Sequence, residues 1–263
     1  MSAAKVPTNA PRNMVAGALN STAITVEWEK PMNSADEGPI LGYRIVYFPK
    51  TITDCKKAAS DKVRYELGQR NTIFGNVQTG LIIGLNPDTY YCIAVNVFNS
   101  AGDGPDSSYY EQTTFKKPPT EFPTLVTVNS TDIPRTLKIS WVGIRSFADE
   151  ESIDGYTIRY WPAGADFKKT LKDVDVGLKT EGLLMNLNMT MRYYLRVFGY
   201  SRGGVGTMSS PIVQFQIIPR DICIPGASWD GPDIRYQFIC RGCGLNYTCI
   251  SFLLFGFILY FQS

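Results

Sequence analysis

Apolar and polar residues alternate in short runs along most of the chain. The run with the most context is Leu85 to Gly104, LNPDTYYCIAVNVFNSAGDG, where Tyr91, Ile93, Val95 and Val97 alternate with Cys92, Ala94 and Asn96. A period of two marks an extended strand with one buried face. Tyr91 follows the turn residue Pro87, the place where a sandwich stacks a tyrosine ring in its core and bonds its hydroxyl to nearby backbone. The strand is expected to end at Asn99, with Gly102 and Gly104 as turn residues. The pattern recurs from Leu187 to Gly206, with Leu187, Tyr193, Leu195, Val197, Gly204 and Gly206 in equivalent places. The chain is therefore a tandem repeat. The second copy departs from the first at Met189, Met191 and Ser201, which replace Pro, Thr and Asn.

Further strands follow from the same alternation. Pro11 to Gly17 reads as a first edge strand, preceded by a flexible lead, Met1 to Asn9. Ile24, Val26 and Trp28 form a second strand, and a turn stretch runs from Pro31 to Pro39. Tyr43, Ile45 and Tyr47 then alternate with Arg44, Val46 and Phe48. Between Pro49 and Gln78 the chain is long, and Val63, Tyr65 and Leu67 alternate enough for an extra strand. Leu81, Ile83 and Leu85 make the strand before Tyr91, and Tyr109 to Phe115 closes the unit. After KKPPT (116–120) the plan repeats through Leu137, Ile139 and Trp141; Tyr156, Ile158 and Tyr160; Leu183 to Leu187; and Ile212 to Ile217. No long segment has helical period, so the fold class is all-β.

Trp28, the proline turn and Gly-Tyr-x-Ile-x-Tyr, followed by Leu-x-Pro-x-Thr-x-Tyr and Gly-x-Gly, resemble the B, C and F strands of fibronectin type III domains. The resemblance implies two tandem immunoglobulin-like β-sandwiches, at residues 7–115 and 121–218, joined by a linker at 116–120. A linker this short implies modules arranged roughly end to end, as in a stalk. Residues 219–248 form a cysteine-containing membrane-proximal segment, and residues 249–263 a short hydrophobic tail.

Composition narrows the chemistry. The 263 residues suit two small domains, each large enough to bury a core. A net charge of +2 gives no pull towards nucleic acid. The chain has no His, which removes the usual base of serine and cysteine hydrolysis and the commonest zinc ligand. GYSRG (199–203) has the form of a Gly-x-Ser-x-Gly nucleophile elbow, but a hairpin rather than a helix follows it, so Ser201 reads as a loop residue. The chain is expected to be no enzyme, with no cofactor, no metal site and no small-molecule substrate. Asn-x-Ser/Thr occurs at Asn20, Asn129, Asn188 and Asn246. With six cysteines and this fold, the sequons favour an oxidising, extracellular setting and make Asn20, Asn129 and Asn188 glycosylation candidates. The N-terminal MSAAKVPTNAPRN has no apolar run of a signal peptide, so the chain reads as a piece of a longer secreted protein or a late start.

Cys92 lies on the face opposite Tyr91, and Cys55 lies in the long segment beside its strand. The two are candidates for a disulfide, with two free thiols as the alternative. Near the end, Cys223 and Cys240 are candidates for a second. CRGC (240–243) lacks the context of a zinc or redox site. The stretch Cys249 to Phe261, CISFLLFGFILYF, is uncharged, short for a membrane span and not followed by basic residues. Small residues at Gly242, Cys243 and Gly244, a spacer and this apolar run fit a GPI-attachment signal, with Gly242 the first choice of attachment residue. A short transmembrane anchor is the rival.

Tandem modules, a cysteine-containing segment and such a tail together resemble the C-terminal end of contactins. That resemblance implies the membrane-proximal stalk of a GPI-anchored adhesion molecule on the extracellular face of the plasma membrane. Its expected partners are other cell-surface adhesion proteins in cis or trans, in neural or septate-junction recognition, and the membrane through the anchor. The alternative is the ectodomain of a single-pass fibronectin type III receptor. Phe48 and Trp161, opposite the core tyrosines, are candidate contact residues unless they pack on their own sheet.

Overall fold

The structure, a computed structural model, describes residues 5–32, 34, 36–50, 55, 68–189, 191–218, 229, 230 and 234–240. The chain divides into two compact units, the first built from Met1–Pro118 with Phe147–Glu151 and Arg202–Gly204, the second from the rest. Strands of the first are β1 (Arg12–Asn20), β2 (Ala23–Glu29), β3 (Gly42–Pro49), β4 (Gln69–Phe74), β5 (Thr79–Ile83), β6 (Tyr90–Asn99), β7 (Gly102–Asp106) and β8 (Tyr110–Thr113). They form two sheets, β1-β2-β5 and β4-β3-β6-β7, with β8 also paired to β6.

The core fills the space between the sheets. Ile24, Val26 and Trp28 from β2 meet Tyr43, Ile45 and Tyr47 from β3 and Tyr91, Ile93, Val95 and Val97 from β6. The Trp28 and Tyr43 rings stand 5.2 Å apart. Each fully buried aliphatic side chain in this layer contributes about 1.5–3 kcal/mol, which makes the alternation of β6 the main determinant of its register. Gly42 lets β4 close on β3, because a Cβ there would collide with the Ile73 carbonyl.

Three sequence expectations need correction. Gly102 and Gly104 lie in β7 rather than in a turn; the turn is Ser100–Ala101, and Gly102 supplies the positive φ of 145° that brings the chain back beside β6. In β5 the inward residue is Ile82, at 1% exposure, whereas Leu81 and Ile83 face outward. The lead segment is tied down from Lys5: the Lys5 Nζ lies 2.6 Å from Asp36, and Thr8 donates from its hydroxyl (2.6 Å) and its amide (2.9 Å) to Glu37. The expected strand at Val63, Tyr65 and Leu67 lies outside the described residues, and β4 follows just after it.

The second unit contains β9 (Thr124–Ser130), β10 (Leu137–Val142), β11 (Gly155–Pro162), the single helical turn α1 (Phe167–Thr170), β12 (Lys172–Gly177), β13 (Glu181–Leu184), β14 (Arg192–Ser201), β15 (Gly204–Met208), β16 (Ile212–Ile218), β17 (Trp229–Asp230) and β18 (Ile234–Cys240). Asp166 caps α1, accepting from the Lys168 amide. One sheet is β13-β10-β9, the other β12-β11-β14-β16-β18-β17 with β15 paired to β14. The core repeats the first in kind: Trp141 against Tyr156, with Ile158, Leu187, Tyr193, Leu195, Val197 and Phe215. β18 adds to the β16 edge in parallel, from Ile212↔Ile234 to Ile218↔Cys240.

Candidate interaction and modification sites

Each sandwich has a tyrosine corner. The Tyr91 hydroxyl accepts from the Asn86 amide at 2.9 Å, and the Tyr193 hydroxyl from the Asn188 amide at 3.0 Å. Both rings sit in the core with the hydroxyl turned to the chain that enters the strand, so each corner fixes the register of the longest strand of its unit. Burial raises the phenol pKa of Tyr43, Tyr47 and Tyr160, which keeps these rings neutral.

The candidate surfaces lie on the outer faces of the larger sheets. In the first unit, Phe48 of β3 stands directly opposite Cys92 of β6. Cys92 is disulfide-bonded to Cys55 with a Cα–Cα separation of 5.5 Å. Phe48, the two cysteines and Tyr109 form a small second core outside the sheet, with the Phe48 and Tyr109 rings 5.8 Å apart. Phe48 is only 1% exposed, so it is a packing residue rather than a contact residue.

The equivalent place in the second unit is built differently. Trp161 of β11 stands opposite Tyr194 of β14, with ring centroids 5.8 Å apart, and Phe167 of α1 packs edge-on against Trp161 at 5.1 Å. Among the described residues none covers this group as the disulfide covers Phe48: Trp161 and Tyr194 are half-buried and Phe167 is exposed. Beside it, Arg159 makes a two-pronged pair with Asp173 at 2.7 and 2.8 Å and lies 4.9 Å over the Phe198 ring. The hydrogen bonds that Arg159 donates to Asp173 raise its pKa further, so the guanidinium is a fixed charge.

Asn20 ends β1, Asn129 is exposed on β9 opposite Lys138, and Asn188 is exposed immediately after Leu187. Cys240 is the last residue of β18. Cys223, Gly242, Cys243 and Gly244, like Asn246, lie outside the described residues. Ser201 closes β14 and is buried, and its place at a strand-to-strand turn is not that of a nucleophile elbow. The sequence reading missed Phe167, Tyr194 and Tyr109 as ring partners, and it missed the outward aliphatics Val15, Leu19, Leu81 and Ile83. The signal for the aliphatics was present as alternation of opposite parity.

Two sandwiches with repeated tyrosine corners and Trp–Tyr cores define a pair of fibronectin type III modules. The fibronectin type III domain matches residues 9–113 and 119–216, and the chain belongs to that family. Its relatives include contactins. Over 223 residues it is 35% identical to Contactin of Drosophila melanogaster, covering 82% of this chain and 15% of the fly protein. It is 29% identical to Contactin-3 of Rattus norvegicus over 80% of this chain and 19% of the rat protein. The crystal structure of the chicken CNTN1 FN1-FN3 domains superposes with a TM-score of 0.59 at 25% identity, covering 81% of this chain and 68% of that one. The chain thus spans less than a fifth of the length of these two contactins.

Proposed function

We propose that this chain is the membrane-proximal stalk of a contactin-type cell adhesion molecule, held by a GPI anchor on the extracellular face of the plasma membrane. The observation that carries the reading is similarity to contactins over four-fifths of the chain, across both modules. In this reading the modules separate a recognition surface from the bilayer and contact other cell-surface proteins in cis or trans. Residues 219–248 are the membrane-proximal segment and residues 249–263 the tail, with attachment at Gly242, or at Cys243 or Gly244. Asn20, Asn129 and Asn188 carry glycans that limit non-specific sticking. Trp161, half-buried and flanked by the exposed Phe167, is the contact residue retained from the sequence reading.

The test is treatment of intact cells expressing the full-length precursor, with its own signal peptide, with phosphatidylinositol-specific phospholipase C. The expected outcome is release of the protein into the medium. Retention, with a known GPI-anchored control released, would assign a short transmembrane anchor and a receptor-type role.

A further inference from the structure

On the outward face of the β1-β2-β5 sheet the charged Arg12, Glu29 and Glu27 lie towards one end, with the exposed Val15 among them, and the other end has no charged residue among its paired positions. Across the strands, Val15, Glu27 and Thr79 form one row, Gly17, Thr25 and Leu81 the next, and Ala23 and Ile83 the row at the β1–β2 turn, with Leu19 beside it. Leu19, Leu81 and Ile83 are 55%, 42% and 68% exposed. Three aliphatic side chains therefore meet water at one end of one sheet, around Gly17, Thr25 and the buried Ala23.

The turn at that end is Asn20-Ser21-Thr22, one of the glycosylation sequons. The Asn20 Oδ1 accepts from the Thr22 amide at 2.8 Å and from the Thr22 hydroxyl at 3.2 Å. The carbonyl oxygen is committed to the turn, which leaves the amide nitrogen, the atom that bears an N-glycan, as the free end of the side chain. The second module offers a contrast. Its sequon Asn129 is the penultimate residue of β9; Lys138 and then the half-buried Leu183 share its row, and Thr127, Ser140 and Glu181 form the next, with Lys138 and Glu181 paired at 2.6 Å.

We infer that the N-linked glycan on Asn20 is seated on Leu19, Leu81 and Ile83, and that this seat stabilises the first module. The inference rests on the reading of Asn20 as a glycosylated residue. A pyranose ring presents an apolar C–H face, and Ile83 lies two strands from Asn20, about 10 Å, within reach of the first two sugars. Covering the three side chains removes apolar surface from water without a protein partner. A protein approaching the same patch meets the glycan first. The row of Asn129 begins with Lys138, paired to Glu181, before it reaches the half-buried Leu183.

The experiment uses the full chain secreted from a eukaryotic host with Asn129→Gln, Asn188→Gln and Asn246→Gln, so that Asn20 carries the only N-glycan. Peptide N-glycosidase F then removes the glycan and leaves aspartate at position 20, whose carboxylate still accepts both Thr22 hydrogen bonds. Intact mass is expected to show Asn20 occupied, and removal is expected to lower the first module's thermal midpoint by about 4 °C. With Leu19→Ser and Ile83→Ser added, removal is expected to shift the midpoint by less than about 1 °C. Both residues are exposed, so these substitutions leave the core intact. An occupied Asn20 with no shift on removal overturns the seat alone, as does a shift that survives both serine substitutions. An unoccupied Asn20 overturns the seat and the glycosylation reading at that residue together. Loss of cell adhesion in the serine variant, with the glycan effect unchanged, overturns the seat and assigns the patch to a protein.

Discussion

The two modules solve one packing problem with different chemistry. Beyond each β-strand that carries the Tyr-x-Ile-x-Tyr-like core face, the chain must be fastened to the outer face of its sheet. The first module does so with Cys55–Cys92 over Phe48 and Tyr109, and the second with Phe167 against Trp161 and Tyr194. Phe48↔Cys92 and Trp161↔Tyr194 occupy the same ladder position, directly opposite one another on equivalent strand pairs. A covalent staple acts mainly by restricting the unfolded chain and leaves a dry, closed surface. An aromatic staple acts through area and ring geometry and leaves apolar edges in view. Fastening a segment and closing the surface over it are thus separable properties of one fold.

The largest expected effect breaks this comparison on the covalent side. Replacing Cys55 and Cys92 together by Ala removes a cross-link of sequence separation 37. It is expected to cost the first module about 4 kcal/mol, leaving the second module's calorimetric transition unmoved. Trp161→Ala is expected to cost the second module about 2 kcal/mol and the first nothing, since the ring is half-buried between Phe167 and Tyr194. Tyr91→Phe and Tyr193→Phe sharpen the comparison from the shared side. Each removes one corner hydrogen bond and is expected to cost its own module about 1 kcal/mol in denaturant titration, equally in both.

The smallest effect concerns pH. The Thr8 hydroxyl and amide, then the Ser34 amide, hold the Glu37 carboxyl below the usual glutamate range. A folded-state pKa below the unfolded one means stability that is complete above the unfolded value and is lost as pH falls through the folded one. Glu37→Gln is therefore expected to flatten the first module's midpoint between about pH 5 and about pH 3, with little change near neutrality.

How far the sequence could be read follows from the range over which each signal acts. Tyr91, Ile93, Val95 and Val97 announce an inward face because alternation is local, and the core bears them out. Trp28 and Tyr43 are legible for the same reason. Phe48 illustrates the limit. Alternation places it outward, correctly, but what covers it is a cysteine several residues on and a tyrosine from beyond β7, and periodicity holds no information about either. In Leu81-Ile82-Ile83 both parities are apolar, so the pattern could not say which face is wet; packing against β2 and β3 decides for Ile82. Gly102 looked like a turn because glycine marks positive φ, and it has one, but at the first residue of a strand.

The parallel pairing of β18 with β16 has a mechanical consequence. Seven residue pairs align from Ile212↔Ile234 to Ile218↔Cys240, and both strands run towards the same pole of the module. Tension applied to the chain beyond Cys240 pulls β18 along its own axis, so the ladder is loaded in shear and its hydrogen bonds must yield together. The strand order of the second module thus sets how this ladder carries a load along β18.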